Sequence, residues 1–173
     1  VITGAQIQRY YITDTPSQGN VIYINDQNKP GLSSKREQEV SNPRIVLQRI
    51  TGVDSKVRII STLINGHMYC ANSTNYIAND NSINIKYLLG VLNSSLVNFF
   101  IKQTSTNTNI TAKVLNSIPI IFPSTKMQEA IIRIVDYVLI IKSLPSDIII
   151  DQYVDNDVMA RQFENVIDAL IYE

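Results

Sequence analysis

The chain has no tryptophan, one cysteine (Cys70) and one histidine (His67) in 173 residues. A lone thiol excludes an intrachain disulfide, and one Cys with one His is too small a set for a zinc site. The six glycines stand apart from one another, so no glycine-rich phosphate loop is present, and no Gly-x-Ser-x-Gly nucleophile elbow occurs. No apolar run approaches the roughly 20 residues of a membrane span. The longest, at 138–141 and 148–150, have the length of core segments. The N-terminus carries no basic stretch followed by an apolar one, so no signal peptide is read there. The expectation is an intracellular, cytoplasmic protein with no membrane partner.

What is present in quantity is isoleucine (28 residues) and asparagine (17), against seven alanines. Both have AT-rich codons, which reflects the source genome rather than a function. The asparagines are scattered among apolar residues, so they do not form a low-complexity tract. The Asn-x-Ser/Thr triplets at Asn72, Asn93 and Asn109 follow from that abundance and carry no glycosylation meaning without a secretory signal. Hydrophobic residues make up 45% of the chain and charged residues 17%, a balance that folds.

The formal net charge is zero, but it is unevenly distributed. Residues 1–113 hold 11 Lys+Arg against 6 Asp+Glu, a balance of +5, and residues 114–173 hold 4 against 9, a balance of −5. Such asymmetry points to an anionic partner for the basic part.

Local patterns predict an α+β fold with a mixed or antiparallel sheet. Val21 to Ile24 is a β-rich run before the turn-prone stretch 25–31, and residues 33–41 read as a short exposed helix or a loop. Residues 45–50 and 57–64 read as strands. Asn65-Gly66 between β-rich runs predicts a hairpin over 57–71, because both turn positions need positive φ. Apolar residues at three- and four-residue spacing make 85–102 helical, with Leu88, Leu92, Leu96 and Phe99 as a core seam. Asn93-Ser94-Ser95 favours caps and divides that segment. Residues 103–113 form a polar loop, and 118–123 a short edge strand pinned by Pro119 and Pro123. Two amphipathic helices close the chain, the first from a capping box with Thr125 as cap and Gln128 as its partner, the second over 156–172. The division expected is a domain over 1–123 and a helical region over 124–173.

Catalytic constellations are sparse. His67 and Cys70 are three apart on one predicted strand, so their side chains face opposite ways and cannot act as a nucleophile–base pair. Glu37 and Glu39, with Lys35 and Asp54, form the one carboxylate set that metal-assisted phosphodiester cleavage could use, although no strand–turn–strand unit joins them. More numerous are side chains suited to nucleic acid: Arg9, Arg44, Gln48, Arg49, Lys56 and Arg58, then Lys102, Gln103, Asn107, Asn109 and Lys113 around the polar loop. Arginine suits guanine edges, Asn and Gln suit adenine edges, and Lys suits phosphates. Each singly is an ordinary solvated side chain; together, in the basic part, they make a candidate nucleic-acid-binding set.

Several segments occur in an order that resembles a known family. Gly4-Ala5-Gln6-Ile7-Gln8-Arg9-Tyr10 is similar to Gly-x-Asp-Ile-x-Arg-Tyr, with Gln6 where Asp is usual. Residues 43–50 (Pro-Arg-Ile-Val-Leu-Gln-Arg-Ile) resemble Pro-Lys-Ile-Val-x-x-Arg-Ile, and residues 88–94 resemble Leu-Leu-x-x-Leu-Asn-Ser. Ile118-Pro119-Ile120, the stretch 128–135 and the terminal Ile167-Asp168-Ala169-Leu170-Ile171-Tyr172 continue the series. Together they resemble the TaqI-like C-terminal specificity region, the target-recognition domain of type IIG restriction–modification enzymes, related to type I specificity subunits.

The resemblance implies a non-catalytic module that reads double-stranded DNA within a bacterial enzyme, a site-specific DNA adenine methyltransferase with endonuclease activity. The methyl donor S-adenosylmethionine and Mg2+ would be held by upstream domains. The Asn-Pro-Pro-Tyr motif of such methyltransferases is absent: Asn42-Pro43-Arg44-Ile45 lacks the second proline and the aromatic residue that stacks on a flipped base. The acidic C-terminal helices would act as a spacer or pack on those domains. Two rival expectations come from other classes, a metal-dependent nuclease site at Glu37, Glu39 and Asp54, and a helical protein-interaction module.

Overall fold

The computed structural model describes residues 1–14, 24, 31, 33–66, 68–145 and 147–173. Most of the predicted strand at 21–24, and His67, lie outside the described residues.

Among the described residues the fold is α+β, with two small antiparallel sheets. A two-stranded ribbon pairs β1 (Ile7–Gln8) with β2 (Tyr11–Ile12). A three-stranded sheet has β3 (Arg44–Gln48) at its centre, flanked by β4 (Ser61–Ile64) and β5 (Thr74–Ala78). Helix α1 (Ser34–Ser41) precedes the sheet. After it come α2 (Ile85–Asn93), α3 (Ser95–Thr104), the short α4 (Ala112–Asn116), α5 (Thr125–Ser143) and α6 (Asn156–Tyr172).

The central strand is buried on both faces, which explains its unbroken apolar run. Side chains alternate along a strand. Ile45 and Leu47 enter the main core with Leu89, Leu92, Ile131, Val135, Val138 and Ile167. Val46 points the other way, onto a smaller cluster with Ile2, Ile7 and Ile64. The N-terminal segment closes that second face: Ile2 pairs with Cys70 and exchanges backbone bonds with Tyr69 and Ala71. Helices α5 and α6 share the main core with the sheet, so residues 1–123 and 124–173 are not separate cores.

The predicted hairpin over 57–71 is not formed. Gly66 does take the positive φ (74°) that Asn-Gly turns require, but β4 pairs with β3, in the register Val46↔Thr62. No strand among the described residues returns along β4 after the turn. The edge strand expected at 118–123 is also absent. That stretch has no ladder, since Pro119 and Pro123 lack N–H donors, and the Tyr87 hydroxyl instead donates to the Ile121 carbonyl at 2.5 Å. The cap of α5 is Ser124 rather than Thr125; its hydroxyl accepts from the Met127 N–H, and Gln128 bonds back to the Pro123 carbonyl at 2.9 Å. The helix break at Asn93-Ser94 is present, with Ser94 capping α3.

The predicted seam is partly core. Leu92 is buried and Leu88 and Leu96 are half-buried, but Phe99 is 60% exposed; the inward positions of α3 are Val97, Asn98 and Ile101. Helices α2 and α5 meet at Gly90, where an added Cβ would lie 3.0 Å from a methyl of Val135 and 3.1 Å from one of Ile131. Both are branched side chains fixed in the core, so neither moves freely. Gly90→Ala is expected to lower stability by about 1–3 kcal/mol, as overpacking does. A urea titration in which the midpoint stayed put would show that the helices can separate there without cost.

Candidate nucleic-acid interface

The Leu-Asn-Ser stretch forms the joint between helices and sheet. Asn93, at the end of α2, is fully buried; its Oδ1 accepts from the Ser61 N–H (3.2 Å) and hydroxyl (2.9 Å), and its Nδ2 donates to the Ser61 carbonyl (3.0 Å). One amide thus bonds both the N–H and the carbonyl of Ser61 on the open side of β4, and the Tyr10 N–H donates to the same carbonyl at 3.0 Å. One turn on, Asn98 Oδ1 accepts from the backbone N–H of Arg58 (2.6 Å) and Ile59 (2.8 Å), and its Nδ2 donates to the Ser94 carbonyl. The irregular segment before β4 is held to α3 in this way.

Beyond β3, three segments are fastened together. Ile110 N–H donates to the Arg49 carbonyl (2.8 Å), Thr51 N–H to the Thr108 carbonyl (3.0 Å) and Arg49 N–H to the Ser73 carbonyl (3.0 Å). Ile50 and Asn109 form an antiparallel bridge, and the Asn75 amide donates to the Ile110 carbonyl. The loop folds on itself where Asn107 Oδ1 accepts from the Asn109 N–H (2.9 Å). Arg49 and Asn107 are exposed at this junction and Asn109 is half-exposed; Lys56, Lys102, Gln103 and Lys113, in the adjoining stretches of chain, are exposed as well. Arg49 rests one Nη1 donor on the Asn72 carbonyl at 3.2 Å. Arg49, Asn107 and Asn109, 60 residues apart in sequence at the extremes, therefore share one rim.

Four of the sequence candidates sit elsewhere or face inward, which corrects the expectation for them. Arg44 is 1% exposed, at the opposite end of β3; its guanidinium donates to the carbonyls of Val40 (2.7 Å), Gly66 (3.3 Å) and Met68. Arg58 is fully buried and donates to Thr51 Oγ1 (3.3 Å) and to the carbonyls of Ser105 (3.3 Å) and Asn107 (2.5 Å). Arg9 lies between the ribbon and α6, paired with Glu164 at 2.7 Å and donating to the Asn93 carbonyl at 2.8 Å. Gln48 donates to the Ile7 carbonyl at 2.7 Å. Apart from Arg9 Nε, which is buried without a partner, the donors of these arginines are engaged by the fold, and a buried guanidinium cannot leave its carbonyls unpaired without cost. The sequence in turn missed Ile50, read as a strand residue but 60% exposed on the rim, where an apolar side chain could meet a thymine methyl. Thr106, Thr108 and Asn72 are also exposed there; nothing in their spacing marks them.

The carboxylates of the rival nuclease set do not converge. Glu39, on α1, accepts from the Tyr76 hydroxyl at 2.8 Å, and burial, with that bond, pushes the Tyr76 hydroxyl above its ordinary pKa. Asp54 lies in the turn after Thr51, closed by the Ser55 N–H on the Gly52 carbonyl. Among the described residues no three His, Cys, Asp or Glu side chains gather where a metal could be held.

The family model of the TaqI-like C-terminal specificity domain matches residues 1–120. The chain belongs to that family. It is a TaqI-like specificity domain. Among solved structures, a similar fold is that of the type IIL restriction–modification enzyme MmeI, determined in complex with DNA. The TM-score is 0.59 at 15% identity, over 77% of this chain and 18% of that one. The specificity domain described here therefore spans under a fifth of that relative. No curated protein matches. No helix among the described residues is long and apolar enough to cross a membrane.

Proposed function

We propose that the rim formed by residues 49–56 and 102–113 is the DNA-reading face of this specificity domain. The observation that carries it is the backbone junction of Arg49, Thr51, Thr108 and Ile110, which gathers basic and amide side chains from distant parts of the chain on one exposed surface. Lys56, Lys102 and Lys113 suit phosphates; Arg49, Gln103, Asn107 and Asn109 suit base edges. The +5 balance of residues 1–113 supplies a favourable field for a polyanion. The DNA in the MmeI complex is consistent with this reading.

The parent protein, on this proposal, is a type IIG restriction–modification enzyme of bacterial, cytoplasmic origin, a DNA adenine methyltransferase and endonuclease. Its S-adenosylmethionine and Mg2+ belong to domains outside this chain. The chain itself only recognises. Residues 1–123 do the reading, and the acidic stretch 124–173 stiffens the module and spaces it from those domains.

The test is a salt titration of duplex binding. Lys102→Ala and Lys113→Ala are each expected to weaken all sequences alike and to lower the salt slope by about one unit. Arg49→Ala and Asn107→Ala are expected instead to cost about 1–3 kcal/mol at one base position and to relax specificity only there. If the four could be replaced together with affinity, slope and preference unchanged, the face is wrong and a protein-interaction module takes its place.

A further inference from the structure

Arg58 is not exposed, yet it is the residue most closely tied to the loop on which the proposed reading face depends. Its position is fixed from behind. Asn98 of α3 holds the peptide N–H of Arg58 at 2.6 Å and that of Ile59 at 2.8 Å, so the start of the side chain is anchored to a helix rather than to a flexible turn. Thr51 closes the next link: its hydroxyl donates to the Arg58 carbonyl (3.1 Å) and accepts from Arg58 Nε (3.3 Å). The two terminal nitrogens then reach the carbonyls of Ser105 and Asn107. Two carbonyls two residues apart are thereby turned inward, while Thr106, Asn107 and Thr108 present exposed side chains.

The planar fork of a guanidinium offers two donors at fixed separation, and an ammonium does not. Carbonyls and a hydroxyl, rather than an acid, hold the Arg58 guanidinium. A buried arginine serving only the core would be matched as well by a hydrophobic residue of similar volume. Here its contacts go to the one loop whose outer side carries Asn107 and Asn109.

We infer that Arg58 is a positioning residue for base reading: its fork sets the backbone of residues 105–109, and thereby the direction in which that loop presents its side chains to a DNA groove. This rests on the DNA-reading face proposed above. Arg58 touches no base, and acts through the loop.

The experiment uses the parent protein that carries this chain and a duplex library with a randomised centre, sequenced after binding, with a salt titration run in parallel. Wild type is compared with Arg58→Lys, which keeps the charge and loses the fork, and with Thr51→Val, which keeps the arginine and loosens it. Arg58→Lys is expected to lose about tenfold in discrimination at one or two neighbouring base positions, with the salt slope unchanged because no phosphate contact is removed. Thr51→Val should lose less, at the same positions; it also carries the test if Arg58→Lys does not fold. A preference profile unchanged in both variants, whatever their thermal stability, would leave Arg58 a structural residue and overturn the inference while the reading face stands. Wild type with no sequence enrichment and no salt dependence would overturn the face, and this inference with it.

Discussion

Arg44→Ala will lower the free energy of unfolding by about 3–5 kcal/mol. The guanidinium is 1% exposed and joins three separate stretches of chain: the end of α1 through the Val40 carbonyl, and the segment after β4 through the carbonyls of Gly66 and Met68, all from a root on the central strand. Hydrogen bonds from a charged donor contribute about 1.5–3 kcal/mol each. Truncation would also leave those carbonyls unpaired and open a cavity between α1 and the sheet. Arg44→Met fills most of the volume and restores no hydrogen bond, so it should recover only part of the loss; Arg44→Lys can reach one carbonyl but not all of them. Urea unfolding of the three variants measures the order Ala, Met, Lys. The same variants provide a control for the reading face. Arg44 and Arg49 lie at opposite ends of β3, about 16 Å apart at strand rise. Base preference should therefore be untouched in any Arg44 variant that folds. An altered preference at one base position would mean that the DNA surface extends to the α1 end of the sheet.

The different fates of the arginines mark the limit of what the sequence made legible. Composition and spacing identified the basic and amide residues as a set, and the loop at 103–113 as polar. They could not sort the set, because Arg44, Arg49 and Arg58 all lie in or beside β-rich runs. Whether such a residue faces carbonyls or solvent depends on which segments close over it. Arg58 is enclosed only because Asn98, 40 residues later, anchors its backbone beneath the loop. The same dependence on distant partners defeated the hairpin. Of the two turn positions expected at positive φ, Gly66 takes it and Asn65 does not, and the choice of partner strand is long-range: β3 takes β4 on one side and β5 on the other. Where the decisive contacts are local, the reading held. Asn93-Ser94 interrupts the helical segment because Ser94 can cap α3 from its own hydroxyl, a contact three residues long. The inward turn of Asn93 onto Ser61 is the part that local chemistry cannot supply.

Arg9 was the fourth arginine of the candidate set, and its removal should make stability depend more steeply on pH. Its Nη2 lies 2.7 Å from Glu164 Oε2, with the carboxylate side chain 10% exposed and the guanidinium 28%. Burial raises the Glu164 pKa above its ordinary value; Arg9 is the strongest opposing influence, followed by Lys142 of α5, with Arg161 acting in the same sense and Asp168 against it. The sign follows from linkage. A carboxylate whose folded pKa exceeds its unfolded one binds its proton more tightly in the native state. Its contribution therefore favours the fold at pH below the unfolded value and turns unfavourable as pH rises through the folded one. Without Arg9 the Glu164 pKa rises further, and at neutral pH the fold must either bury an unpaired carboxylate or take up a proton. Arg9→Ala is expected to cost about 2–4 kcal/mol near neutral pH, somewhat below the range for fully enclosed pairs because the guanidinium is partly solvated. The loss should shrink as pH is lowered toward the ordinary carboxylate range. In Arg9→Ala combined with Glu164→Gln the added pH dependence should vanish and part of the stability return, since a neutral amide replaces the stranded charge. Unfolding free energies of the single and double variants at about pH 5 and about pH 8 decide the matter. A loss of equal size at both pH values would assign the role of Arg9 to its 2.8 Å bond with the Asn93 carbonyl instead, and so to the joint between ribbon and α2 rather than to α6.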